Sequence, residues 1–68
     1  MDIHLLLVDG SNISLLYTKT QKAIDWIESN LGNDYLVFAK GIVIESHLTD
    51  SVLQGLKASS LSYLIQRS

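Results

Sequence analysis

The chain has no cysteine and no proline, and only five lysines and arginines stand against seven aspartates and glutamates in its 68 residues. Without cysteine, disulfides and thiolate metal sites are excluded, and the pattern suits a reducing cytoplasm. Any metal would have to draw on two histidines, His4 and His47, and on carboxylates. The formal charge of -2 provides no basic footprint for a phosphate backbone, and seven acids are too few to imitate DNA, so nucleic acid is not an expected partner. No apolar run approaches the roughly 20 residues that span a bilayer, and Asp2 stands where a signal peptide would carry basic residues. The chain therefore reads as a soluble, unprocessed, cytoplasmic protein without membrane contact. It has no Gly-x-Ser-x-Gly elbow and no glycine-rich phosphate loop, so no cofactor and no catalytic nucleophile are expected. One small domain over residues 1–68 would bury only about 60% of the surface its unfolded chain exposes, which leaves its stability marginal.

What is present is organised around Tyr35 to His47. This stretch is rich in β-branched and aromatic residues, with Leu36, Phe38, Ile42 and Ile44 on one parity and Tyr35, Val37 and Val43 on the other, the pattern of an interior strand covered on both faces. Lys40-Gly41 interrupts it with a bulge or a tight turn. Upstream, Ile3 to Val8 and Ile13 to Tyr17 are β-type runs separated by Asp9-Gly10-Ser11-Asn12, a strong hairpin signal. Thr18 and Gln21 have capping-box spacing, and Ala23, Ile24, Ile27 and Leu31 form the stripe of an amphipathic helix that ends at Gly32. Trp26 borders that stripe and should be half-buried. A second helix begins with Thr49 as N-cap and Leu48 stapled on Leu53, with Val52 and Leu56 inward. Continued past Ser59-Ser60 it would be apolar on two faces, so Leu61 to Gln66 is expected to return as a short edge strand. The expected fold is a small α+β domain, β-β-α-β-α-β, with a four-stranded, mainly antiparallel sheet and two helices.

Glu45 and His47 lie two apart and so should point to the same face of a strand, with Asp50 close behind, a grouping that suits zinc or acid–base chemistry. A zinc site needs a third protein ligand, and the simpler reading is a solvated strand end leading into a helix start, with no metal bound. Trp26, Tyr35 and Phe38 lack interleaved basic residues and read as core or interface. Gly55 inside a helix costs about 1 kcal/mol relative to alanine, which marks it as a close-packing position against the sheet or a partner.

The run from Leu5 to Asn12 resembles the opening of PIN-like and DNA-polymerase-associated 5′ nucleases, in which a strand delivers an aspartate, here Asp9, to a metal site. Two-metal chemistry requires further carboxylates, and Asp25 and Glu28 fall on the solvent face of the first helix, so a hairpin turn is the preferred reading. A longer resemblance joins Gly10-Ser11, Leu15-Leu16, Thr18, Thr20, Ala23, Trp26, Asn30-Leu31, Ile42 to Glu45, Asp50, Gly55 and Leu61. In their joint spacing these positions resemble a group of small bacterial and phage- or plasmid-type mobile-element proteins. Ser60 replaces that group's exit glycine, and His47-Leu48 replaces its basic–aromatic pair. The resemblance implies no activity.

The leading functional expectation is a non-enzymatic interaction module that self-associates and binds a protein partner. The alternatives are a nucleic-acid or host-defence modulator encoded by a mobile element, and a metal-dependent hydrolase using Asp9 or Glu45 and His47. The expected oligomer is a homodimer. Two short helices can cover one sheet face only, while both parities of the strands are apolar. Trp26, Tyr35, Phe38 and Gly55 are the interface candidates.

Overall fold

Alternation in the sequence becomes two faces of one sheet once the register is known. The computed structural model describes residues 1–8, 10–32 and 35–67. The strands are β1 (Ile3–Leu7), β2 (Ile13–Thr18), β3 (Val37–Phe38), β4 (Gly41–Glu45) and β5 (Tyr63–Arg67), and the helices are α1 (Gln21–Leu31) and α2 (Thr49–Ala58). A 3-10 turn, Ser46–Leu48, leads into α2. Among the described residues the strands form a single five-stranded mixed sheet in the order β3-β4-β2-β1-β5. β1–β2, β2–β4 and β3–β4 pair antiparallel, whereas β5 runs parallel to β1.

Leu5 opposes Leu16, and Leu16 opposes Ile42. Paired residues share a face, so Ile3, Leu5, Leu16, Ile42 and Ile44 point to one side of the sheet. Both helices lie there, because Ala23 and Ile27 of α1 and Val52 and Leu56 of α2 are buried in the same cluster, which Leu61 completes. Each fully buried Leu or Ile in such a core contributes about 1.5–3 kcal/mol. The two helices also touch each other through Trp26 and Gly55. A Cβ built on Gly55 would stand 2.7 Å from the Trp26 ring, which also donates its indole N–H to Ser59 Oγ at 2.9 Å. Gly55 is thus a packing position, and what it packs against is the other helix.

Several local expectations are corrected. The stretch from Tyr35 to His47 is two strands and not one interior strand, because Ala39 and Lys40 form a two-residue turn between Phe38 and Gly41. That turn makes the sheet five-stranded and swaps the parity of what precedes it: Val37, not Phe38, shares the face of Ile42. β2 occupies the centre of the sheet, and helices cover one face of β4 rather than both. Helix α1 is capped by Thr20, whose Oγ1 accepts from the Ala23 N–H at 3.2 Å, since Thr18 is still paired with Ile3 in the sheet. Its buried stripe leans toward Trp26 and leaves Ile24 exposed. At α2 the cap position is Leu48 without a side-chain bond, and Thr49 is the first helical residue. The Thr49 hydroxyl lies 3.4 Å from that of Ser14, the one buried polar residue among those described.

The β3–β4 turn is held against its own preference. Ala39 and Lys40 both take positive φ, 51° and 69°, the pattern of a type I′ turn. For residues with a Cβ this costs roughly 1–2 kcal/mol each. Tyr17 holds the turn from β2: its hydroxyl donates to the Ala39 carbonyl at 3.4 Å, and its ring lies where a side chain on Gly41 would be, 2.9 Å from the position of a Cβ. Replacing the pair by Ala39→Asn and Lys40→Gly should raise the unfolding free energy by about 1–2 kcal/mol. The check is urea denaturation of both proteins; an unchanged or lower midpoint contradicts the account of the turn.

Asp2 fastens the entry of β1 to two distant segments. Its Oδ1 accepts from Thr20 Oγ1 at 2.7 Å, and its Oδ2 accepts from the backbone and hydroxyl of Ser62, both at 3.1 Å. The Thr20 hydroxyl first, then the Ser62 N–H, holds the carboxyl below its ordinary value against the opposing effect of desolvation. A group whose folded pKa is lowered stabilises the fold above its unfolded pKa, and that stabilisation is lost as pH falls through the lower folded value. The wild-type denaturation midpoint should therefore fall more steeply than that of Asp2→Asn as pH drops below about 4. Parallel profiles for the two proteins would show that Asp2 is not a clamp.

Candidate functional site

Of the polar candidates, the structure joins two. Glu45 ends β4, and His47 sits in the following 3-10 turn, where its Nε2 is 3.3 Å from Glu45 Oε2. The expectation that both project from one strand is corrected, since the strand stops at Glu45 and the turn brings His47 back to it. Both side chains are well exposed, 65% for Glu45 and 70% for His47, beside a shallow depression shared with Asn12, Ile13 and Ser46. Asp50 lies in the first turn of α2, where an acid complements the helix dipole. Among the described residues no group of three histidines or acids is placed to hold a metal ion. Asp9, the acid on which a nuclease-like site would depend, lies outside the described residues.

The aromatic candidates separate. Trp26 and Gly55 are engaged with each other inside the chain, and Tyr35 is partly buried against the core. Phe38 is 65% exposed and projects from the face opposite the helices, where its register partner is Gly41.

That opposite face is the principal feature the candidate residues missed. Leu6 opposes Leu15, and Leu15 opposes Val43, so the three form a row across β1, β2 and β4. Leu15, in the middle of the row, is 4% exposed without belonging to the helix-covered cluster. A second row runs through Leu64, His4, Tyr17, Gly41 and Phe38. Its polar atoms are paired along the face: His4 Nε2 is 2.8 Å from Gln66 Oε1, the His4 and Tyr17 ring centroids are 6.0 Å apart, and the Lys19 ammonium lies 5.9 Å from the centroid of the Tyr17 ring. No family model, no curated protein and no solved structure matches the chain. The signal for this face was present in the sequence as the second parity of the hairpin strands, but only the register shows which residues share the row.

Replacing both Glu45 and His47 by alanine should change the unfolding free energy by less than about 1 kcal/mol, because the pair is exposed and screened. Zinc titration monitored by calorimetry should give the same featureless trace for this variant and the wild type. A stoichiometric zinc isotherm lost in the variant would contradict the assignment.

Proposed function

We propose that the protein is a non-enzymatic, cytoplasmic interaction module that self-associates through the sheet face opposite its helices, as a homodimer, and works by engaging a protein partner. The observation that supports this is the row Leu6, Leu15 and Val43 with Tyr17, Leu64 and Phe38 around it on the face opposite the helices, where Leu64 and Phe38 are exposed, Leu6, Tyr17 and Val43 half-buried, and Leu15 buried. Contiguous apolar patches of this kind on small domains are commonly interaction surfaces. Burial at about 25 cal/mol per Å² is a large gain for a chain whose single core is small. The outer edge of β5, where Leu64 and Ile65 are 50% and 42% exposed, offers main-chain groups to which a strand of a protein partner can add. The net charge of -2 argues against a nucleic-acid backbone as that partner.

Sedimentation equilibrium at micromolar concentration should show a species of twice 7.6 kDa. Val43→Glu, at the β4 end of the row, should return it to the monomer while its far-ultraviolet circular dichroism stays native. A wild-type monomer throughout the concentration range sinks the proposal.

A further inference from the structure

An acid, Glu45, stands at one end of the open face and two bases, Lys19 and Lys40, at the other; Asp2, at the basic end, is engaged with Thr20 and Ser62, and Arg67, at the acidic end, pairs with Leu7 on the helix-side parity. Glu45 lies at the end where β4 pairs with the start of β2, opposite Ile13. Lys19 follows the other end of β2 and sets its ammonium over Tyr17 on this face, and Lys40 is at the tip of the turn that leads into Gly41, beside the same Tyr17. The three charged side chains are exposed. From one end to the other the face thus reads acidic, apolar, basic.

Resting on the self-association proposed above, we infer that the occupant of this face is a second copy of the chain laid with its strands antiparallel to the first, so that Glu45 of each copy meets Lys19 and Lys40 of the other. Two sheets stacked face to face with their strands aligned are related by a two-fold axis lying between them, either nearly along the strands or nearly across them. An axis along the strands places each basic end over the partner's basic end, and the like charges repel. An axis across the strands superposes β2 on β2 and β4 on β4 with their directions reversed. Leu15 then lies near its own copy, and two symmetric acid–base contacts close the ends. Twisted sheets stack with their strands within about 30° of alignment, which keeps the ends in register. Strands of five, six, two, five and five residues, about 4.8 Å apart with a rise of about 3.3 Å per residue, outline roughly 360 Å². Side-chain relief carries that area toward the 600 Å² or so per partner at the lower end of specific interfaces.

The test is sedimentation equilibrium at low ionic strength, where exposed charges are least screened, on the wild type, Glu45→Lys, the double variant Lys19→Glu with Lys40→Glu, and the triple variant. Each reversal places like charges together at two symmetric contacts and should weaken dimerisation by about tenfold or more, and the triple variant should recover to within about threefold of the wild type. A wild-type dimer indifferent to either reversal, or a triple variant no tighter than the single reversals, overturns the antiparallel pairing while leaving self-association in place. A wild-type monomer overturns both. Circular dichroism of each variant confirms that the exposed substitutions leave the fold intact.

Discussion

Leu15 and Leu16 are neighbours in β2, both are buried, and the pleat points them to opposite faces of the sheet. Leu16 is enclosed by helices, with Leu5 and Ile42 beside it. Leu15 lies on the other face, in a row with Leu6 and Val43. The central strand is apolar on both sides, and the two short helices cover one of them. The rest of the structure follows from that asymmetry. Ala23, Ile27, Val52 and Leu56 build one complete core, while on the other face Leu6 and Val43 are half-buried and Leu64 and Phe38 are exposed.

The covered side is secured by contacts between distant parts of the chain. The Trp26 ring lies where a side chain on Gly55 would be, so the two helices approach more closely than alanine would permit. Asp2 joins the start of β1 to Thr20, the cap of α1, and to Ser62, just before β5. The parallel β5 therefore docks beside β1 through a polar clasp as well as through its ladder. On the open side Tyr17 bridges to the β3–β4 turn and holds Ala39 and Lys40 at positive φ. The site proposed for association and the strained turn are thus in contact through one side chain.

Much of this was legible in the sequence. The β1–β2 hairpin, the stop of α1 at Gly32, the break at Ser59-Ser60 and the final strand follow from local turn chemistry and periodicity, and the structure carries all four. The half-burial of Trp26 and the packing role of Gly55 were also readable, although their meeting was not, since nothing in a helical wheel says which two helices adjoin. The β3–β4 turn was obscured because Ala39-Lys40 lacks the asparagine and glycine that usually announce positive φ. The cap of α1 was assigned two residues early because Thr18 and Thr20 are both good N-caps, and only the pairing of Thr18 with Ile3 assigns it to the sheet. At the candidate site, Phe38 was identified by its type, whereas Leu6, Leu15, Tyr17, Val43 and Leu64 required the register.

The central claim is that the face carrying Leu15 and Val43 is closed by another copy of the chain. It is tested most directly by isotope-filtered nuclear Overhauser spectroscopy on a mixture of carbon-13-labelled and unlabelled protein. The account predicts intermolecular contacts from the methyl groups of Leu6, Leu15 and Val43, and none from Ile27, Val52 or Leu56. Intermolecular contacts confined to the helical side, or none at a concentration where the protein is a dimer, would contradict it.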